Sequence, residues 1–277
     1  MRLGYAVFGA LPIPVSSAIF GSLARWIGPH LPVHRRAERR LQRALPELSA
    51  EERRSTLRRM WQGFGRIIGE YPHLSRFEVS GPDARIEVVG GEHLDRLRDT
   101  KGPAFLISAH YGNWEILLRT AQLRGLDLTF MRREANNPGA EKILRSMGHW
   151  RGRAIAKGSS GGRDMMRALS HDECLFMLVD QKMNDGIPVP FFGRDAMTAP
   201  ALGRMVLRYN CPVVAARVER LEGARFRVTA YPPLEFTLSG DKEADTLAIM
   251  TRINQVIEGW IREHPDQWLW LHSRWPE

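Results

Sequence analysis

The chain has 277 residues, and 43% of them are hydrophobic, which is enough for the core of one large α/β domain or of one domain with a helical appendage. Only two cysteines occur, both in apolar runs without zinc-like spacing, so the composition argues against a disulfide framework and a cysteine zinc site. Forty basic residues, of which five are lysines, stand against 31 acidic ones and give a charge of +9, so the expected partners are anionic: a membrane surface, an acidic carrier protein or nucleic acid.

The N-terminal segment carries no charge from Leu3 to Ala24. Roughly 20 apolar residues are enough to cross a bilayer, but Pro12, Pro14 and several glycines make this run only mildly apolar. We therefore expect membrane attachment, either as a span or as a helix lying in the interface, with a soluble core helix as the alternative. The basic cluster at 34–43 favours a cytoplasmic, anionic membrane face.

The first 75 residues have a helical pattern. Ser49 and Glu52 form a capping-box sequence that predicts the start of a helix. That helix is expected to run to about Glu70, because Pro72 stops it. We predict a helical, membrane-associating region at residues 1–75 and an α/β domain at residues 76–277.

From about residue 84 the pattern alternates between strands and helices. Strands are predicted at 85–89, 105–108, 128–131, 154–156, 174–179, 213–218 and 226–230. Helices are predicted at 114–123, 139–147, 163–169, 201–209 and, from an amphipathic stripe, 250–260. This alternation predicts an α/β fold with a mixed, largely parallel sheet flanked by helices.

The main chemical motif is the sequence SAHYGNWE at 108–115, in which His110 follows an apolar strand and precedes a helix. Ligands of open α/β sheets gather at the carboxyl ends of strands. His110 and Glu115 are five positions apart, which is the wrong rotation for one helix face. They meet only if His110 lies in the turn and Glu115 in the first helical turn. Glu115 is then expected to orient the imidazole and to stabilise its protonated form.

The His110 and Glu115 pair has no serine or cysteine nucleophile beside it in the motif. This arrangement indicates that a substrate hydroxyl is the nucleophile. His110 would remove its proton while the oxygen attacks an activated acyl group such as a thioester. The alternative is a structural histidine that binds a loop.

The spacing His110-x₄-Glu115 resembles the signature of glycerolipid acyltransferases. The surrounding sequence is similar to the late acyltransferases of lipid A biosynthesis, the lauroyl and myristoyl transferases, over nearly the whole chain. The similar pieces are AHYGNWE (109–115), RREANNP (132–138), VDQ (179–181), VPFFGR (189–194), WLWLHSRWP (268–276), RALPELSAEERR (43–54) and EYPHL (70–74).

This resemblance implies transfer of a fatty acyl group from acyl carrier protein to a hydroxyl of a lipid A precursor. It implies no metal and no nucleotide cofactor. The expected location is the cytoplasmic face of the inner membrane. Another glycolipid or a lysophospholipid is the alternative acceptor.

Five further residues are candidates for substrate binding. Arg133, Arg145 and Arg151 are rivals for binding a phosphate of the acceptor or of the carrier's phosphopantetheine. Asp180 ends a buried strand and is expected either to position an arginine or to cap the strand. Arg194 is expected to contact a phosphate or to hold its loop onto Asp180.

Two hypotheses of a different class compete with acyl transfer. The sequence GSSGG at 158–162 fits a hydrolase nucleophile elbow, with Ser160 as nucleophile and His264 or His272 as base, although its preceding strand is weak. The arginines at 34–43 and 51–59 are compatible with nucleic acid, but interleaved glutamates dilute them and no recognised nucleic-acid motif is present. We therefore expect no nucleic-acid partner.

Overall fold

The computed structural model describes residues 8–132, 152–156 and 161–276. Its N-terminal part contains the helices α1 (Ile13–Ile27), α2 (Pro32–Ala44) and α3 (Ala50–Glu70). The predicted capping box starts α3, because the Glu52 amide donates to the Ser49 hydroxyl and the Ser49 amide donates to the Glu52 carboxylate. A 3₁₀ turn that contains Pro72 follows the helix.

Small residues join α1 to α3. Ser16, Ser17 and Gly21 of α1 are buried, and they pack where α3 has glycines. A Cβ atom on Gly65 would lie 2.3 Å from the carbonyl oxygen of Phe20, and one on Gly69 would lie 2.5 Å from that of Ser16. The two backbones therefore approach as closely as only glycine permits.

The opposite face of α1 carries its large apolar side chains. Val15, Ile19, Leu23 and Trp26 are 43%, 40%, 49% and 74% exposed. In the part of the chain that the structure describes, no helix is both long and apolar enough to cross a membrane.

The rest of the chain alternates between strands and helices, as predicted. The strands are β1 (Ile86–Val89), β2 (Ala104–Ser108), β3 (Leu128–Arg132), β4 (Gly152–Ala156), β5 (Cys174–Leu178), β6 (Ile187–Phe191), β7 (Arg194–Thr198), β8 (Val213–Arg220) and β9 (Phe226–Ala230). The helices are α4 (Gly91–Asp99), α5 (Glu115–Leu123), α6 (Gly161–Ser170), α7 (Ala201–Tyr209) and α8 (Lys242–Glu263).

Seven strands form one sheet in the order β1-β9-β8-β2-β5-β3-β4. β8 and β9 pair antiparallel, and every other neighbouring pair is parallel. The predicted mixed, largely parallel sheet is thus confirmed. β2 and β5 are central, and their carboxyl ends point to the same edge of the sheet.

Two features depart from the predicted elements. The antiparallel hairpin β6–β7 was not expected, because Pro188 and Pro190 in β6 disfavour a strand; such prolines are tolerated in a two-stranded ribbon. The short polar helix α4 was also missed. The helix predicted at 139–147 lies outside the described residues.

Two hydrophobic clusters cover the two faces of the sheet. Alternate residues of β2 divide between them: Phe105 and Ile107 face one cluster, Leu106 the other. The first cluster also contains Leu57 and Trp61 of α3. The N-terminal helices thus share a core with the sheet, and the boundary at residue 75 remains a prediction.

Candidate active site

The register of the two central strands brings His110 next to Asp180. Ser108 of β2 lies opposite Leu178 of β5 in the parallel pairing. His110 and Asp180 each lie two residues beyond that pair. Both side chains therefore meet at the carboxyl edge of the sheet, where α/β folds bind ligands.

Asp180 holds His110 by two hydrogen bonds. The His110 amide donates to Oδ2 of Asp180 over 2.8 Å, and His110 Nδ1 lies 2.7 Å from Oδ1. The indole Nε1 of Trp268 donates to Oδ2 over 2.8 Å. A carboxylate only accepts, so the proton of a neutral His110 resides on Nδ1, and Nε2 is left as the basic nitrogen.

Asp180 is an ionised carboxylate in a buried position, 1% exposed. Burial opposes its charge, but the charge of His110 and the hydrogen bonds from His110, together with the charge of His272, outweigh burial and hold the pKa of Asp180 well below its usual range. The negative charge next to Nδ1 stabilises an imidazolium when His110 takes up a proton.

Asp180 lies at Nδ1 of His110, the position that we expected Glu115 to take, and the catalytic role of Glu115 stays a prediction. Glu115 is the first residue of α5, and its backbone amide donates to the Asn113 side chain over 3.3 Å. Sequence separation favoured the residue five positions away, whereas strand pairing brings in a residue 70 positions away.

Aromatic rings and an amide surround the imidazole. The ring centroid of His272 lies 4.3 Å from that of His110, and the ring centroid of Trp114 lies 4.9 Å away. The side-chain nitrogen of Gln181 is 3.4 Å from His110 Nε2. The His110 side chain is 13% exposed, so its basic nitrogen is sheltered from bulk water but accessible.

The C-terminal segment, residues 265–275, clamps the His110 loop, residues 109–114. The Leu269 amide donates to the carbonyl of His110 over 3.0 Å, and the Gly112 amide donates to that of Gln267 over 2.8 Å. Gly112 has a positive φ of 57°, and a Cβ there would lie 1.8 Å from the Val218 carbonyl oxygen. Only glycine fits this turn.

A buried carboxylate, Glu70, ties the His110 loop to the N-terminal helices. Its oxygens accept from both terminal nitrogens of Arg220, at 2.5 and 2.8 Å. They also accept from the amide of Asn113 over 2.8 Å and from the hydroxyl of Ser17 over 2.7 Å. One side chain thus joins α1, α3, β8 and the loop that carries His110.

A cavity of about 260 Å³ opens beside His110, between α3, the His110 loop, the β8–β9 turn and the C-terminal segment. Apolar side chains line part of it: Met60, Phe64, Ile67, Trp114, Leu221 and Leu269. The arginines Arg59, Arg66 and Arg220 line another part. The cavity thus offers apolar and cationic surface next to the basic nitrogen.

The other predicted binding residues lie apart from this cavity or outside the described residues. Arg194 stacks over the Trp275 ring at 5.2 Å and does not bind Asp180, whose oxygens are taken by His110 and Trp268. Outside the described residues are Arg133, Arg145, Arg151 and Ser160. The aromatic residues Phe191, Phe192, Trp268 and Trp270 are buried in the core.

Sequence reasoning missed two parts of the site. His272 was considered only as a hydrolase base, although it packs against His110, and the ion pair between Glu70 and Arg220 was not foreseen at all. Histidine and tryptophan alternating with apolar residues near the C-terminus were the available signal. Among the described residues no group of three or more potential ligands has a metal-site arrangement.

Comparison with known proteins agrees with the motifs. Residues 3–277 match the family described as bacterial lipid A biosynthesis acyltransferase. The chain is 25% identical to a lipid A biosynthesis acyltransferase of Haemophilus influenzae, over 98% of this chain and 88% of the relative. It is 25% identical to the lipid A biosynthesis lauroyltransferase of Escherichia coli, over 85% and 76%. It is 20% identical to lipid A biosynthesis acyltransferase 2 of Shigella flexneri, over 98% and 86%. The chain therefore belongs to the bacterial lipid A biosynthesis acyltransferase family, as its motifs predicted, and is an acyltransferase.

Proposed function

We propose that this acyltransferase moves a fatty acyl group from acyl carrier protein to a hydroxyl of a lipid A precursor, with His110 as general base. The observation that carries the proposal is the bond of 2.7 Å between His110 Nδ1 and the buried Asp180, beside an open cavity. It leaves Nε2 ready to accept a proton from a substrate hydroxyl.

The reaction follows from this arrangement. Nε2 of His110 takes the hydroxyl proton as the oxygen attacks the thioester carbonyl. The carbon–sulfur bond then breaks, and the imidazolium returns the proton to the leaving thiolate. Asp180 fixes the tautomer and stabilises the imidazolium without itself being protonated. Backbone donors and an arginine stabilise the oxyanion.

Glu115 remains a proposed catalytic residue with a different task from orienting Nδ1. It begins α5 directly after Trp114, whose ring packs against His110. A carboxylate at a helix N-terminus is stabilised in its charged form. Glu115→Gln therefore tests whether this charge contributes to turnover independently of Asp180.

The substrates account for the positive charge of the chain. An acyl carrier protein is acidic and a lipid A precursor is phosphorylated, so both are attracted to a protein of net charge +9. Arg133, Arg145, Arg151 and Arg194 remain proposed phosphate contacts. The described residues add Arg66, which lines the cavity itself.

The proposed location is an anionic membrane surface at the cytoplasmic face of the inner membrane. The exposed apolar face of α1 ends next to α2, whose Arg35, Arg36 and Arg39 are exposed. Apolar side chains beside arginines are the composition of a helix that lies in the interface of an anionic bilayer. The lipid acceptor would then reach the cavity from the membrane.

Acyl transfer from carrier protein bearing a labelled fatty acid to a tetraacylated lipid A precursor tests the proposal. We expect His110→Ala to lower turnover by about 10²- to 10⁴-fold, the contribution of a general base. His171→Ala is the matched control, because His171 is an exposed histidine just after the end of α6. Ser160→Ala should transfer normally.

The outcomes separate the competing hypotheses. Full activity of His110→Ala, or loss of activity in Ser160→Ala alone, would contradict the catalytic assignment. If the wild type does not acylate this acceptor but does acylate lysophospholipids or another glycolipid, the proposed catalytic chemistry stands and the proposed acceptor is wrong.

A further inference from the structure

Three arginines line the cavity beside His110, and their charges are compensated to different degrees. Arg220 is neutralised by Glu70, which it binds through two hydrogen bonds. Arg59 forms an ion pair of 3.2 Å with Asp266 at the exposed rim. Arg66 is the exception and lies deeper along α3.

Among the described residues, Arg66 has a neutral hydrogen-bond partner and no ion-pair partner. Its Nη1 atom donates to the Ser17 hydroxyl over 3.1 Å. Within the described parts of the chain, no carboxylate lies at ion-pair distance from it. Half-burial and the charge of Arg220 lower the pKa of Arg66, and Glu70 offsets this only in part. Within the part of the chain that the structure describes, Glu70 is thus the one carboxylate near both Arg66 and Arg220, and one of the two positive charges has no counter-ion there.

The remaining acidic side chain of the cavity does not neutralise this charge. Glu222 lies on the exposed β8–β9 turn. The charges that act on Arg66 are those of Arg220 and Glu70, and Glu222 is not one of them. An arginine that lines a cavity and has no counter-ion among the described residues is a candidate site for an anionic ligand.

We propose that Arg66 binds a phosphate group of a substrate while that substrate's reacting atom lies at His110. The inference rests on the proposed function and deepens it, because both substrates of that reaction carry phosphate: the acceptor on its sugar, and the donor on the phosphopantetheine of the carrier. The guanidinium offers two parallel donors to phosphate oxygens, and the low-polarity wall strengthens the contact.

The test compares substrates that differ only in phosphate. Acceptors are a bisphosphorylated tetraacyl disaccharide and its phosphatase-treated form. Donors are S-lauroyl-phosphopantetheine and S-lauroyl-pantetheine. We expect Arg66→Gln to raise KM by about 10- to 100-fold for one phosphorylated substrate only, the worth of a hydrogen bond to a charged group, with kcat little changed. The arm that responds identifies which phosphate Arg66 holds.

Two further variants exclude a merely structural effect. Arg66→Lys keeps the positive charge but loses the paired donors of the guanidinium, so we expect its KM to lie between those of the wild type and Arg66→Gln. Arg58→Gln removes an exposed arginine from the same helix that does not line the cavity, and should leave both KM values unchanged. Unchanged preference for phosphate in Arg66→Gln, on both the donor and the acceptor arm, would overturn the inference.

Equilibrium binding separates this inference from the proposed function. Binding of the disaccharide with and without phosphate is followed by the fluorescence of the tryptophans, of which Trp114 lines the cavity. One outcome is that the wild type transfers no acyl group but binds the phosphorylated disaccharide more tightly, and that Arg66→Gln abolishes this preference. The proposed anion site would then stand, and the proposed acyl transfer would be contradicted. The other outcome is that the wild type transfers the acyl group and that Arg66→Gln changes neither binding nor KM. The proposed acyl transfer would then stand, and the proposed anion site would be contradicted.

Discussion

Large apolar side chains lie inside the protein at the central sheet, but many of those on α1 lie at the surface. In the sheet, aliphatic and aromatic residues such as Phe105 and Leu106 are fully buried, and burial of apolar surface stabilises it. Between α1 and α3 the closest approaches involve glycine and serine, while Val15, Ile19, Leu23 and Trp26 of α1 are exposed. This contrast in exposure is the reason why we propose that α1, and not the sheet, contacts the membrane surface.

The largest effect is expected at the sheet edge. Asp180→Asn keeps the shape of the side chain but no longer fixes the proton on Nδ1 of His110, so turnover should fall by about 10³- to 10⁴-fold. Steady-state acyl transfer measures it. Asp195→Asn, an exposed aspartate in β7, is the control. If Asp180→Asn retains wild-type turnover while Glu115→Gln loses it, Glu115 rather than Asp180 is the partner of His110 in the reaction.

The second-largest effect is expected at the close contact between α1 and α3. Gly65→Ala would place a Cβ 2.3 Å from the Phe20 carbonyl oxygen, so the helices must separate, and the free energy of unfolding should fall by about 1–3 kcal/mol. Gly63→Ala changes a glycine of the same helix, and the added Cβ would have no contact within 4 Å beyond the helix's own backbone. That control should raise stability by roughly 0.5–1 kcal/mol. Urea denaturation compares them; equal stability of both variants would show that the helices are not tightly packed.

A smaller effect is expected from substitutions on the exposed face of α1, and it is measured as the partition of the protein onto lipid vesicles. The double variant Leu23→Ser/Trp26→Ser should weaken partition onto vesicles containing phosphatidylglycerol by about tenfold, because it removes apolar area that would enter the interface. Val89→Ser/Leu247→Ser removes exposed apolar side chains from other parts of the protein. Sedimentation with vesicles distinguishes them, and equal loss in both variants would contradict a specific docking face.

The smallest effect concerns pH. The pKa of Asp180 in the folded protein lies below that of an unfolded aspartate, about 3.9. The stability that this carboxylate contributes is therefore present above about pH 4 and is lost as the pH falls further, by about 1 kcal/mol at pH 3. Unfolding of Asp180→Asn should depend less steeply on pH in this range than that of the wild type. A parallel slope in the two proteins would show that Asp180 is not held in its charged form.

The sequence was sufficient for most of the fold because local signals mark the elements. The capping box at Ser49, the apolar runs of β2 and β5 and the stripe of α8 all correspond to elements of the structure. The hairpin β6–β7 could not be predicted, since its prolines mimic a loop and only pairing with the partner strand makes it a ribbon.

The site was predictable only where its chemistry is local. The position of His110 between a strand and a helix is confirmed, and its catalytic role is a proposal. Its partner Asp180 was named as a strand-end residue but given another role, because nothing in the sequence reveals that β2 and β5 are neighbours in the sheet. The packing of His272 against His110 likewise depends on how the C-terminus returns over the strands. Long-range register is set by the whole core and not by any one segment.

The position of Glu70 has a practical consequence for protein production. A shortened chain that starts after α1, made to gain solubility, would remove the Ser17 hydroxyl from this buried carboxylate and expose the glycine face of α3 to water. Glu70 would then have one donor fewer beside Arg220. Since the same carboxylate holds Asn113 in the His110 loop, such a truncation would loosen the loop that positions the base. Substituting exposed apolar residues of α1 with polar ones would instead keep Ser17 and its hydrogen bond to Glu70.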